Sequence, residues 1–111
     1  MKKNALAALS AVLVLAGPGR RLLAADERSE SFQTHCSVCH GDDGRGQTEE
    51  GRKKKARDLT NAKWQDSIDD GRIVRSITKG HAEMPAFGKK LTEPEIKALA
   101  AEVRSLARRS S

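Results

Sequence analysis

Aromatic side chains are scarce in this chain of 111 residues, which has one Trp, two Phe and no Tyr. It has only two Cys and two Met, and one of the Met residues is the initiator. Domains of this size bury barely enough apolar surface to fold on packing alone, and they usually need a disulfide, a metal or a prosthetic group. The sequence therefore predicts that one of these three additions completes the core.

A long hydrophobic run is also missing, because the apolar stretch over residues 5–17 would be only about 20 Å long as a helix, against about 30 Å of membrane hydrocarbon. A basic start followed by a short apolar run is typical of a secretory signal peptide. We expect residues 1–25 to be removed after Ala25, or alternatively after Ala16. Residues 26–111 would then form one periplasmic or otherwise exported domain, with no stable membrane insertion.

Acidic residues are absent from residues 1–25, and this changes the interpretation of the charge. The chain has 21 Lys+Arg and 15 Asp+Glu, a formal net charge of +6. Four of the basic residues lie in 1–25, so residues 26–111 carry 17 bases and 15 acids, a formal +2. Nucleic-acid-binding domains concentrate positive charge. We therefore expect no nucleic-acid partner.

Two segments in the first part of the predicted mature chain carry helix signals. The first predicted helix covers about residues 26–40, with Asp26 as a possible cap and the following glycine as its stop. The second covers residues 66–80 and opens at Asp66. Residues 41–65 lack apolar periodicity, which predicts a long loop that wraps around something.

The last predicted helix has the strongest local signals. Thr92 and Glu95 match the capping-box pattern, and Pro94 falls in the first turn, where a missing amide hydrogen is harmless. An apolar stripe then recurs at helical spacing, formed by Ile96, Leu99, Ala100, Val103 and Leu106. No segment has the alternation of a β-strand, so the sequence predicts an all-α fold with three main helices.

The motif with the clearest chemistry is C-S-V-C-H at residues 36–40, the C-x-x-C-H pattern of c-type haem attachment. On one helical turn, Cys36 and Cys39 face the same way and can form thioethers with the two vinyl groups of a porphyrin. The adjacent His40 can then bind the iron as a neutral imidazole. The sequence thus predicts one covalent haem c, which would also supply the missing apolar bulk.

Three other interpretations of the two cysteines remain. A zinc site could combine them with histidines from among His35, His40 and His81, although the usual second ligand pair is missing. A redox-active dithiol of the thioredoxin type would need a βαβ context. A disulfide between cysteines three residues apart would close too short a loop to stabilise the chain much.

The second axial ligand of the iron is expected in the irregular segment 81–91. Met84 is the only Met besides the initiator, and Pro85 follows it off any helical stripe. Methionine is often core filler, but this position favours a ligand. His81 is the alternative and would give bis-histidine ligation with a lower reduction potential.

On these motifs the chain resembles the class I c-type cytochromes, in particular the small soluble bacterial type. The resemblance covers about residues 29–108 and implies the cytochrome c fold, with the first and last helices crossing near Phe32. The residues that match are Cys36, Cys39, His40, Gly41, Met84, Pro85 and Phe87.

Two positions depart from the family pattern. Glu102 stands where relatives often have an aromatic residue, which predicts looser helix packing. Relatives often have Gly-Pro before a haem-packing leucine, and the proline carbonyl orients the proximal histidine. Here the stretch from Lys55 to Leu59 has no proline, so Leu59 is expected to pack on the haem while the acceptor for the His40 ring N–H is not identified.

An iron with both axial positions filled has no open site for a substrate, so the resemblance implies a one-electron carrier and not an enzyme. We expect a monomer whose partners are other redox proteins. Lys53–Lys55 are a possible docking surface for partners with an acidic surface. Trp64 is expected to contact the haem or a propionate, and Arg57 could pair with a propionate. The alternative is a haem-based sensor or peroxidase-like protein in which Met84 dissociates.

Overall fold

The computed structural model describes residues 27–108, so the predicted signal peptide lies outside the described residues. Within this range the helices are α1 (Glu30–His35), α2 (Ser37–His40), α3 (Glu49–Lys54), α4 (Ala62–Ser67), α5 (Asp70–Lys79) and α6 (Glu93–Ser105). The only extended pairing in this part of the chain is an isolated bridge between His81 and Met84. The all-α prediction is therefore confirmed. Within the same range, no helix is long and apolar enough to cross a membrane.

The first helix begins later than predicted and is interrupted. Ser29 is the N-cap, and its hydroxyl oxygen accepts a hydrogen bond from the amide of Phe32 at 3.1 Å. The backbone departs from regular helical angles at Cys36, with φ −115° and ψ −34°, so two short helices replace one. Gly41, with φ +80°, ends α2 as the sequence predicts.

The prediction of a loop over residues 41–65 is wrong, because α3 and the first part of α4 lie within it. Apolar periodicity could not reveal α3, whose six residues are E-E-G-R-K-K. Polar contacts stabilise it instead. The hydroxyl of Thr48 accepts from the Gly51 amide at 2.8 Å and lies 2.8 Å from the carbonyl oxygen of Val38, which ties α3 to α2.

The fifth helix starts four residues after the predicted position. Its N-cap is Asp69, whose carboxylate accepts from the amide of Arg72 at 2.8 Å. Asp66 belongs to α4, and Ile68 between the two helices is extended. The predicted end at Gly80 is confirmed by its φ of +82°.

The sixth helix agrees with the sequence prediction. Both hydrogen bonds of the capping box between Thr92 and Glu95 are present, and Pro94 lies in the first turn. Four of its apolar residues are buried, and they belong to the core cluster of Phe32, Leu59, Ile73, Ile77, Phe87, Ile96, Leu99, Ala100 and Val103.

A buried polar contact fastens α4 to α6. The side-chain amide of Gln65, which is 3% exposed, donates to the carbonyl oxygens of Leu59 and Val103, each at 2.8 Å. Arg104 donates in turn to the Gln65 backbone carbonyl at 2.6 Å and to that of Ile68 at 2.6 Å. These bonds fix the elements that carry Leu59 and Ile68, two walls of the cavity described below.

Candidate haem-binding site

An apolar cavity of about 130 Å³ lies between the helices. We call it the inner cavity; it adjoins a larger outer cavity of about 730 Å³, whose lining includes the exposed residues Lys54 and Lys55. Six of the residues that line the inner cavity belong to the core cluster, and the residues that line both cavities are Cys36, His40, Arg57, His81 and Met84. The structure therefore brings the attachment motif and both candidate distal ligands to one place.

The ring of His40 is held by a backbone carbonyl. Its Nδ1 lies 3.0 Å from the carbonyl oxygen of Arg57. Because a carbonyl can only accept, Nδ1 must carry the proton, which leaves Nε2 as the ring nitrogen with a free lone pair. Burial lowers the pKa of His40, with a smaller opposite effect from this hydrogen bond. The neutral imidazole that binds metals is thus favoured.

The Arg57 carbonyl is oriented without the proline of the family pattern. Lys55 adopts the left-handed conformation, with φ +57°, and turns the chain at the end of α3. The Ala56 amide then donates to the Gly51 carbonyl at 2.8 Å, and the Leu59 amide donates to the Gly44 carbonyl at 2.7 Å. These two bonds fix the backbone on either side of Arg57. They thereby position the Arg57 carbonyl, which is the acceptor for the His40 ring N–H that the sequence did not identify.

The two cysteines of the motif are free thiols in different surroundings. Cys36 lines both cavities, whereas Cys39 lines only the outer one. Burial raises the pKa of Cys36 to about 11, and the charges of Glu102 and Cys39 add to the effect. Both belong to one helical turn, since the His40 amide donates to the Cys36 carbonyl at 2.9 Å. This arrangement suits thioether formation with one edge of a porphyrin.

The distal side is formed by a tight turn. The amide of Met84 donates to the His81 carbonyl at 2.8 Å, and the amide of His81 donates to the Met84 carbonyl at 3.1 Å. Ala82 at the tip has φ +52°. Pro85 lines only the outer cavity. Phe87 is 6% exposed, and its amide donates to the Ile77 carbonyl at 2.8 Å, which holds the segment against α5.

Two further residues predicted to contact haem, Leu59 and Trp64, line the inner cavity. Leu59 is 6% exposed. The guanidinium of Arg57 lies 5.2 Å from the centroid of the Trp64 ring, a cation–π distance. A cation at the rim of an apolar cavity suits the carboxylates of haem.

Sequence reasoning missed Arg72, Ser76 and Ile68 as lining residues. A signal was available in α5, because Arg72 and Ser76 are four residues apart and each directly precedes a buried isoleucine, Ile73 or Ile77. Ile68 precedes the helix in an extended stretch without periodicity, so no pattern could identify it.

The zinc alternative finds no support in the geometry. No group of three or more His, Cys, Asp or Glu side chains within residues 27–108 could hold a metal ion. An apolar cavity beside two thiols, a neutral histidine and a thioether fits haem, which needs apolar walls and only one or two axial ligands.

Comparison with known proteins gives the same assignment. Residues 23–101 match the family described as cytochrome C oxidase, cbb3-type, subunit III. The chain is 39% identical over 84 residues to the cbb3-type cytochrome c oxidase subunit FixP of Azorhizobium caulinodans, which covers 75% of this chain and 27% of the relative. It is 33% identical over 84 residues to subunit CcoP of Azospirillum brasilense, covering 75% and 28%. The chain thus spans less than a third of the length of these relatives.

A solved structure of the KustC0563 c-type cytochrome matches with a TM-score of 0.66 and 39% identity, covering 70% of this chain and 94% of that one. The cytochrome c fold expected from the resemblance is therefore confirmed. The family and the relatives also support haem as the cofactor and a role in electron transport. A location outside the cytoplasm agrees with this family. The chain belongs to the c-type cytochromes, in the family of cbb3-type cytochrome c oxidase subunit III.

Proposed function

We propose that the chain holds one haem c through Cys36 and Cys39, with His40 and Met84 as axial ligands, and carries single electrons between redox proteins outside the cytoplasm. The observation that supports this best is the meeting of His40 and Met84 at one apolar cavity, with His40 Nδ1 bonded to the Arg57 carbonyl. The single C-x-x-C-H motif in this chain supports one haem.

The bound haem would supply a one-electron Fe(III)/Fe(II) couple, which a thioether ligand biases toward Fe(II). The protein supplies orientation and exclusion of water. The carbonyl of Arg57 fixes the ring plane and the tautomer of His40. Phe32 and Leu59 give the cavity dry walls, since they are 0% and 6% exposed. Because both axial positions are used, we propose a carrier and not an enzyme.

The rim of the outer cavity suggests where partners dock. Val38 lies between the two cysteines and is 59% exposed, an unusual position for a large apolar side chain. Lys54 and Lys55 line the same cavity. An apolar centre with cations at its edge suits brief docking of a redox protein with an acidic surface, because charge steers the encounter and leaves dissociation fast.

The relatives named above are subunits of cytochrome c oxidases, which supports partners in an oxidase-linked electron-transfer chain. The match covers only one segment of those relatives. We propose residues 1–25 as the export signal and residues 26–111 as the mature cytochrome domain, which would act as a monomeric shuttle.

The test is to export the full chain in a host that attaches haem c and to record ferric and ferrous absorption spectra. We expect sharp c-type bands after reduction and, in the ferric protein, the weak far-red band of thioether–iron ligation. Met84→Leu should abolish the far-red band and leave the covalent haem, while Pro85→Ala serves as a control that keeps the band. A folded but colourless protein would overturn the haem assignment, and retention of the band in Met84→Leu would overturn the ligand assignment.

A further inference from the structure

His81 and Met84 are paired across the distal turn in a specific register. Their amides and carbonyls exchange both backbone hydrogen bonds, at 2.8 and 3.1 Å. Residues that face each other in this way across an antiparallel pair have side chains on the same face, with Cβ atoms about 5 Å apart. Both side chains accordingly line the inner cavity, together with His40.

We propose that His81 is a second distal ligand, which binds the iron when the sulfur of Met84 does not. The inference rests on the proposed function, because it needs a haem attached at Cys36 and Cys39 with Met84 as the ordinary ligand. The exchange would break one Fe–S bond and form one Fe–N bond to an imidazole nitrogen that carries no proton. The iron would keep its oxidation state, so no oxidant or reductant is required.

The imidazole of His81 is available for this role. Within residues 27–108 the structure shows no hydrogen bond, ion pair or ring contact of its side chain. His35, the other histidine near the outer cavity, is instead engaged with Phe87, whose ring centroid lies 5.5 Å away. His81 is therefore the one of these two that can approach the iron without losing a contact.

In this turn Ala82, at the tip, can act as a pivot, and Gly80, just before the turn, acts as an anchor. Ala82 has φ +52°, which is strained for a residue with a side chain, so rearranging the tip costs little free energy. Gly80 packs closely against the segment after Met84, since a Cβ at this glycine would lie 2.8 Å from the Met84 carbonyl oxygen and 3.1 Å from the Ala86 amide. The anchor keeps His81 near the haem face while the tip moves.

The consequence would be a cytochrome that stays six-coordinate after damage to its methionine. Methionine oxidation gives a sulfoxide, a polar and weaker ligand for haem iron. Replacement by His81 would keep the distal site closed and lower the reduction potential, because imidazole favours Fe(III) more than a thioether does. Such a protein would accept electrons from its donor with less driving force. It would not gain peroxidase-like chemistry, because the iron would have no open site.

The experiment uses the exported holoprotein and compares Met84→Leu with Met84→Leu/His81→Ala by ferric absorption and electron paramagnetic resonance spectroscopy. Leucine keeps the volume of methionine and cannot bind iron, so the fold is preserved. We expect a low-spin bis-imidazole signal in the single variant and a high-spin signal in the double variant. The matched control, Met84→Leu/His35→Ala, should remain low-spin.

A high-spin Met84→Leu protein, or a low-spin double variant, would overturn the proposal while leaving the haem assignment intact. If Met84→Leu is not recovered, the wild type and His81→Ala can be treated with peroxide until mass spectrometry shows complete oxidation of Met84. The wild type should then give the bis-imidazole signal and His81→Ala the high-spin one, and the same spectrum in both would overturn the proposal. A colourless wild type would instead mean that the proposed function itself has failed.

Discussion

Glu102 on the last helix binds Ser29 at the start of the first, 73 residues away in sequence. Its two carboxylate oxygens accept from the Ser29 hydroxyl at 2.6 Å and from the Ser29 amide at 2.8 Å. Arg28 adds a charge contact at 3.7 Å. Where relatives often have an aromatic residue, this chain has a hydrogen-bonded carboxylate that joins the two helices, and the predicted looser packing stays a prediction.

Removing this carboxylate should destabilise the protein noticeably. Glu102→Ala leaves two donors of Ser29 without an acceptor, and hydrogen bonds to a charged group contribute about 1.5–3 kcal/mol. We expect the free energy of unfolding, measured by denaturant titration of the haem protein, to fall by about 2 kcal/mol. Lys97→Ala on the exposed face of the same helix should change it by less than about 0.5 kcal/mol. Equal effects of the two substitutions would show that the contact adds little stability.

Lys55 is an unfavourable residue for its backbone conformation, and replacing it should stabilise the fold. At φ +57° it ends α3 in the left-handed region, where glycine is strongly preferred. We expect Lys55→Gly to raise the free energy of unfolding by about 1 kcal/mol. Lys53→Gly, inside the same helix, should lower it by about 1 kcal/mol. A loss of stability in Lys55→Gly would mean that its side chain makes a contact that outweighs the strain.

Gln65 should be hard to replace even by an apolar residue of similar size. Gln65→Leu removes the donor to the carbonyls of Leu59 and Val103 and the acceptor for Arg104. The Val103 carbonyl keeps the Leu106 amide and Arg104 keeps the backbone carbonyl of residue 65, whereas the Leu59 carbonyl loses its donor. A buried group left without a partner costs about 1–3 kcal/mol, so we expect a loss in this range in thermal or denaturant unfolding. Ser67→Ala, at an exposed end of the same helix, should cost less than about 0.5 kcal/mol. A neutral Gln65→Leu would contradict the structural role of this contact.

The capping box predicts a specific acid sensitivity. Hydrogen bonds from the Thr92 backbone and side chain lower the pKa of Glu95 below its ordinary value of 4.5. The ionised form is thus favoured by folding, so its contribution is present above pH 4.5 and is lost as the pH falls through the lower folded pKa. In unfolding measured over a pH series, Glu95→Gln should flatten this acid slope, while Glu93→Gln should not. Parallel curves for the wild type and Glu95→Gln would contradict the prediction.

The sequence predicted best where structure depends on local patterns. The capping box and the apolar stripe of α6 lie within one helix. The C-x-x-C-H motif is equally local, because its spacing alone predicts haem attachment. Helix α3 was missed because its stability comes from Thr48 and from close packing of Gly51 on the carbonyl of Cys39, and neither leaves an apolar period.

Contacts made by backbone groups could not be predicted either. The acceptor for His40 is the main-chain oxygen of Arg57, and every residue type has such an oxygen, so no side chain identifies it. Its position depends on hydrogen bonds from Ala56 to the Gly51 carbonyl and from Leu59 to the Gly44 carbonyl. The contact between Ser29 and Glu102 spans 73 residues and brings both ends of the domain together, so no local pattern could reveal it.

Six residues of the core cluster also line the inner cavity, namely Phe32, Leu59, Ile73, Ile77, Leu99 and Val103. In the part of the chain that the structure describes, most of the core therefore also forms the surroundings of the cofactor. A substitution at one of these six residues that raises the melting temperature will also alter the polarity and shape of the space around the iron, and with them the reduction potential. In this small domain, durability and electrochemical tuning must evolve together.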